Sequence, residues 1–170
     1  MQTSTIRFYS LGFQKIETYW LTVLFVLGNI ALPQLCHAVQ AGGPTWLPIY
    51  FFTLIGAYKY GWRVGLLTAL ISPLINSLLF GMPTIAMLPT IMLKSTLLAL
   101  TAGYVATKFH KATLGLLTLV ILTYQVIGSL GEWALVGNLH IAMQDFQLGI
   151  PGMLLQVFGG WLVINRLIRK

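Results

Sequence analysis

Acidic side chains are nearly missing from this sequence: three Asp and Glu stand against ten Lys and Arg in 170 residues. Charged residues of both signs make up 8% of the chain, where a soluble domain carries roughly 25%. That scarcity excludes an ordinary water-soluble globular domain. Cys36 is the sole cysteine, so no disulfide can form within the chain. No His/Cys grouping has the spacing of metal ligands, and neither a metal nor a cofactor is expected. A phosphate-cradling loop ending in Gly-Lys-Ser or Gly-Lys-Thr is also lacking, so the chain is not expected to hydrolyse ATP itself. The strict apolar–polar alternation that a transmembrane barrel needs, over about ten residues at a time, is absent as well.

What is present is apolar sequence, 57% of all residues. It falls into six segments, roughly 18–35, 46–60, 62–80, 85–107, 112–135 and 148–168. Most approach or pass the ~20 residues that carry an α-helix across a bilayer. The expected fold is therefore all-α, a polytopic membrane protein built as a six-helix bundle, with residues 1–170 forming one integral membrane domain. The second helix is short, about 15 residues, and spans only with little tilt or in a thinned bilayer. Residues 1–16 mix Arg7 and Lys15 with aromatic and polar residues, which fits a cytoplasmic segment or a short amphipathic helix at the interface. A second reading makes residues 1–41 a signal peptide ending at Val39-Gln40-Ala41; Asn29 inside its apolar core speaks against that.

The net charge of +7 does not form the single basic stripe that nucleic acid would require. Arg7 and Lys15 precede the first segment, and Lys59 and Arg63 flank the turn between the second and third. Lys108 and Lys111 flank the turn between the fourth and fifth, and Arg166, Arg169 and Lys170 close the chain. The loops near 36–45, 81–84 and 136–147 hold no Lys or Arg. Threaded through six helices, every basic cluster falls on one side, which the positive-inside rule assigns to the cytoplasm along with both termini.

Lys94 breaks this pattern. If its helix enters near Thr84, Lys94 lies about ten residues, or ~15 Å, into the apolar layer. A charge at that depth costs at least about 2.5–3.5 kcal/mol, so it should face protein or a water-filled cavity unless it snorkels outward. Glu132 is the one acid within a predicted span. Gln125, Ser129 and Glu132 follow i, i+4, i+7 spacing and share one helical face. Thr68, Ser72 and Asn76 repeat in the same manner, and Thr90 stands one turn from Lys94. Such stripes serve either as interhelical hydrogen-bond glue or as the wall of a site open to the outside. The Thr and Ser positions fit glue best; Lys94, Glu132, Asn76 and Gln125 fit a ligand site, with Ser129 and Thr90 beside them.

Trp20, Trp46, Tyr50 and Trp133 suit an interfacial aromatic belt, although Trp46 could also stack on a flat ligand. Gly61, Gly65 and Ala69 form a small-residue row that permits close helix packing. An enzyme is not expected. A membrane aspartyl protease needs two acids within its spans, and Gly128-Ser129-Leu130-Gly131 has the wrong order for the Gly-x-Ser-Gly of intramembrane serine proteases. His37, His110 and His140 all fall in loops or at span ends, so no buried Ser–His pair is expected.

The stretch Leu47-Pro48-Ile49, Gly56, Tyr60-Gly61, Gly65, then Ser72-Pro73-Leu74 and Leu78-Leu79-Phe80-Gly81-Met82-Pro83 is similar to helices 2 to 4 of a known family. That family is the substrate-binding (S) component of energy-coupling factor vitamin transporters. The resemblance covers about residues 28–107, and the rest resembles the family in hydropathy. The Ser-Pro-Leu and Gly-Met-Pro variant resembles a branch linked to uptake of cobalamin, pyrimidine precursors or pyridoxine. It implies an outward-facing binder of a vitamin or vitamin precursor in a bacterial plasma (inner) membrane. Residues 35–45 would act as a lid, with His37, Gly42, Gly43 and Pro44 near the ligand. The implied partners, besides membrane lipid, are a transmembrane coupling subunit and two ATPase subunits. Toppling of the loaded component would empty the site into the cytoplasm.

Two features depart from the family. The branch tends to carry an acid on helix 4 where this chain has Lys94. The Ala-x-x-x-Ala contact motif on helix 1 is missing from residues 18–26, which leaves docking to Gly61, Gly65 and Ala69, to other small residues, or to an atypical partner. The competing expectation is an accessory or assembly membrane protein without a small-molecule ligand, its polar stripes only holding helices together.

Overall fold

A computed structural model describes residues 8–37 and 42–167. Backbone N–H and C=O groups inside a bilayer find no water, so an apolar chain must pair them within each segment. Among the described residues every regular element is accordingly helical. Helix α1 (Ile16–His37) leads to a short α2 (Gly42–Trp46), a 3-10 turn (Pro48–Tyr50) and α3 (Phe51–Tyr60). Three long helices follow, α4 (Trp62–Phe80), α5 (Leu88–Phe109) and α6 (Leu114–Val136). Two short pieces, α7 (Leu139–Ala142) and α8 (Gln144–Leu148), precede α9 (Ile150–Leu167), which widens into π-type turns at Leu155–Gly159 and Val163–Leu167. Five of these, α1, α4, α5, α6 and α9, are long and apolar enough to cross a membrane.

The expected short second helix is α3, at ten residues about 15 Å long, half of a ~30 Å hydrocarbon core. The apolar run 46–60 breaks at Leu47, whose φ of 46° separates α2 from the turn that follows. Leu54, Ile55, Ala57 and Tyr58 are fully buried, because α3 is wrapped by α1, α4, α5 and α9. The shortest of these apolar helices is the centre of the bundle.

Gly61, at φ 106°, reverses the chain between α3 and α4 in a single residue, a conformation that a side chain would strain. Beyond this hairpin, a Cβ on Gly65 would overlap the Ala57 Cβ and lie 2.8 Å from the Ala57 Cα. Glycines in the left-handed conformation end α4 at Gly81 and α6 at Gly137, the usual way of releasing a helix.

Residues 8–13 form no helix, which corrects the interfacial-helix reading for the described part of 1–16. They fold back over the end of α3, where Tyr9 N donates to Lys59 O at 2.9 Å and Leu11 N to Tyr60 O at 3.1 Å. Carbonyls at a helix C-terminus lack intrahelical donors, and this segment supplies them. Tyr50 is also corrected: it is 2% exposed, a core residue whose ring meets that of Tyr124 at 5.4 Å. Trp20 and Trp133 are exposed, as belt residues would be.

Candidate functional site

Pro33 lies inside α1 and has no N–H, so the carbonyl one turn earlier loses its helical donor. That carbonyl belongs to Asn29, and Asn76 Nδ2 on α4 donates to it at 3.0 Å. The Asn29 side chain then ties three helices together. Its Nδ2 donates to Thr53 Oγ1 at 3.0 Å and Ser72 Oγ at 3.2 Å, while its Oδ1 accepts from Phe52 N in the first turn of α3 at 3.2 Å. Ser72 and Asn76 therefore act as glue, and Asn76 stands on the α1–α4 side; its Oδ1 alone has no partner.

Across the bundle, α5 and α6 meet at two glycines. A Cβ on Gly128 would sit 2.6 Å from Lys94 Cγ, and one on Gly131 would sit 2.6 Å from Leu93 Cδ2. With Gly128 beneath its stem, Lys94 runs along α6 to place Nζ 2.5 Å from Glu132 Oε2. Lys94 is 1% exposed and Glu132 9%. The charges of Lys94 and Glu132 thus meet one another inside the protein rather than at the lipid surface.

Contact between Gly103 and Trp62 sets the register of α5 against α4. Counting back from Gly103 to Lys94 matches counting on from Trp62 to Ile71, the neighbour of Ser72. The Lys94 backbone therefore stands about level with Ser72 of the Asn29 clasp.

Elsewhere on α5, α6 and α9 hydrogen-bond capacity is unused. Gln125 is fully buried, and neither its Nε2 nor its Oε1 has a partner in the chain. The hydroxyls of Ser95 on α5 and Ser129 on α6 are buried and unpartnered too. Gln125, Gly128, Ser129 and Glu132 share one face of α6 by their i, i+3, i+4, i+7 spacing. On α9, Gln156 Oε1 accepts from Tyr124 O–H at 3.0 Å, while its Nε2 remains without a partner. Leaving such a group unsatisfied costs about 1–3 kcal/mol, and folded proteins tolerate few of them. Ser95 on α5, Gln125 and Ser129 on α6 and Gln156 on α9 thus keep buried polar atoms that the chain's own hydrogen bonds do not fill, as does Glu132 at Oε2.

The other expected site residues separate from this group. Thr90 is buried but donates to Met87 O at 2.8 Å, within its own first turn. Trp46 is partly exposed at the end of α2, its backbone carbonyl packed on Gly152. His37 closes α1, and its side chain lies outside the described residues; Gly42 and Gly43 begin α2. The row Gly61, Gly65 and Ala69 is buried against the chain's own segments: Gly61 on Tyr9 and Ser10, Gly65 on Ala57, and Ala69 fully enclosed. Its small size serves packing within the chain, a correction to its assignment as a docking face.

Sequence reading missed Asn29, Ser95 and Gln156 as buried polar residues of the bundle. Ser95 adjoins Lys94, and Gln156 is a lone amide in the last apolar run; both signals were present but faint. Lys59, read as a flanking residue, is fully buried with its Nζ 5.9 Å from the Phe8 ring and 5.8 Å from the Tyr9 ring. Nothing in its spacing announces that burial, which depends on the folded-back segment above it.

No protein-family model, curated protein or solved structure matches this chain.

Proposed function

We propose that this chain is the substrate-binding membrane subunit (S component) of an energy-coupling-factor-type importer, holding a vitamin or vitamin-like molecule among α5, α6 and α9. The observation that carries the reading is Gln125, an amide buried to 0% exposure with both polar atoms unpartnered, on the same face of α6 as Glu132. Interhelical glue accounts for Asn29, for Ser72 and for the donor side of Asn76. It does not account for Gln125. A hydrogen-bonding ligand does, since a buried amide left idle is a net loss of stability.

In this reading α3 acts as the sixth, central segment of the bundle. The ends carrying Arg63, Lys108, Lys111 and Arg166 face the cytoplasm, where a coupling subunit and two ATPase subunits would supply the energy that this chain cannot. The Lys94–Glu132 end then faces outward. A C-terminal reporter fusion that is active only outside the membrane would reverse this orientation.

Binding is tested with the full chain in lipid nanodiscs by native mass spectrometry. Wild-type protein should carry a small-molecule adduct, and Gln125→Leu should weaken its retention by about 1–3 kcal/mol while staying monodisperse. A wild-type chain without adduct, and without a thermal shift across a vitamin panel, would support the ligand-free accessory reading instead.

A further inference from the structure

We propose that Phe8, Tyr9 and Ser10 form a strap that opens and closes over the end of α3 while the bundle stays folded, and that the buried Lys59 side chain drives its opening. Lys59 is fully buried, and an ammonium group brings three N–H donors. Among the described residues its Nζ has no hydrogen-bond partner. What it has are the rings of Phe8 at 5.9 Å and Tyr9 at 5.8 Å, close to the ~6 Å limit of a cation–π attraction. Taking such a group out of water without a partner is costly, and two rings at that range offset little of the cost. Both rings belong to the strap, so lifting it returns Nζ to water.

The folded-back segment is firm at one end and weak at the other. Leu11 is 5% exposed; its N donates to Tyr60 O at 3.1 Å, and its O accepts from Arg63 Nη1 at 3.4 Å. Gly12 O accepts from Thr18 Oγ1 at 2.7 Å, and the Phe13 ring meets Trp62 edge-on at 5.9 Å. Before Leu11 the backbone is tied to α3 by Tyr9 N donating to Lys59 O at 2.9 Å. Ring contacts of Phe8 with Tyr58 at 5.9 Å and Tyr9 with Tyr60 at 5.8 Å complete the closure. Ser10 is exposed. So short and lightly tied a piece opens locally at far less cost than the bundle unfolds. Tyr58 O–H donates to Lys111 O at 2.8 Å, and Asn165 Nδ2 to Ala112 O at 3.1 Å, which places Lys59 at the end that carries Arg63, Lys111 and Arg166. The strap thus sets whether that end presents one further positive charge.

Two measurements on the full chain in nanodiscs test this. Acetylation by a water-soluble N-hydroxysuccinimide ester, read by mass spectrometry, should modify the exposed Lys15, Lys108 and Lys111 at once, Lys59 later, and Lys94 not at all while the protein is folded. Phe8→Ala combined with Tyr9→Ala should speed modification of Lys59 by about tenfold or more. Lys59→Met removes the ammonium but leaves the carbonyl that accepts from Tyr9 N. Deuterium exchange at the Tyr9 amide should then slow by about tenfold or more, with the Leu11 amide changing less. A lysine that holds the strap down through its rings gives the reverse, faster exchange in Lys59→Met. Faster or unchanged exchange would overturn the proposal, as would a wild-type Lys59 as unreactive as Lys94. Should Lys59→Met not fold, Lys59→Leu takes its place, and the wild-type labelling order decides by itself.

Discussion

Lys94→Met should destabilise the protein by about 3–5 kcal/mol, the cost of leaving a buried charge without its partner. Glu132→Gln should do comparable damage, because it strands the ammonium instead. Combining the two removes both charges, and the double variant should lose far less than the sum of the two single losses, a strongly non-additive cycle. Denaturant titration of the full chain in detergent measures all four corners. The prediction follows from geometry: Nζ lies 2.5 Å from Oε2, and Gly128 lets α6 lie directly on the lysine stem. Strictly additive losses would show that the pair is not coupled. Ligand retention gives a second readout on the same variants. If the pair only holds α5 to α6, the double variant regains retention with stability; if Lys94 also touches substrate, stability returns and retention does not.

That pair was legible in the sequence because it needs only two lone charges of opposite sign at matching depths in consecutive spans. Asn76 shows where such reading stops. Its i, i+4 stripe with Ser72 is visible in sequence, but its partner is a carbonyl on α1 released by Pro33, and no local pattern connects residues so far apart. The second apolar segment failed differently. Hydropathy records that 46–60 avoids water, yet a half-length helix enclosed by other helices and a full span facing lipid have the same composition. The break at Leu47, a residue with no preference for positive φ, could not be anticipated from residue type. Tyr50 was misplaced for the same reason, since a tyrosine near the end of an apolar run suits a lipid interface and a buried ring contact equally. Gln125 was found by its spacing to Glu132, but only the fold reveals that both of its amide atoms lack partners.

Gly65→Leu should be the most damaging single substitution in the small-residue row. Even the first added carbon overlaps the Ala57 Cβ and comes within 2.8 Å of the Ala57 Cα and 3.1 Å of its nitrogen. Two of those neighbours are backbone atoms, which cannot rotate away as a flexible side chain would. Gly65→Ala should therefore cost about 1–3 kcal/mol as an overpacking change, and Gly65→Leu should cost more by prising α3 from α4. Ala57→Gly removes the principal obstacle, so Ala57→Gly with Gly65→Ala should recover part of the loss. Gly115 on α6 is the control: nothing lies within 4 Å of its added Cβ, and Gly115→Ala should gain up to about 1 kcal/mol from helix propensity. Thermal unfolding of the isolated full chain separates packing from docking. If the row faced a coupling subunit, Gly65→Leu would leave the isolated chain as stable as wild type and impair only assembly. Because α3 already occupies that face, the damage is expected in the isolated chain, before any partner is added.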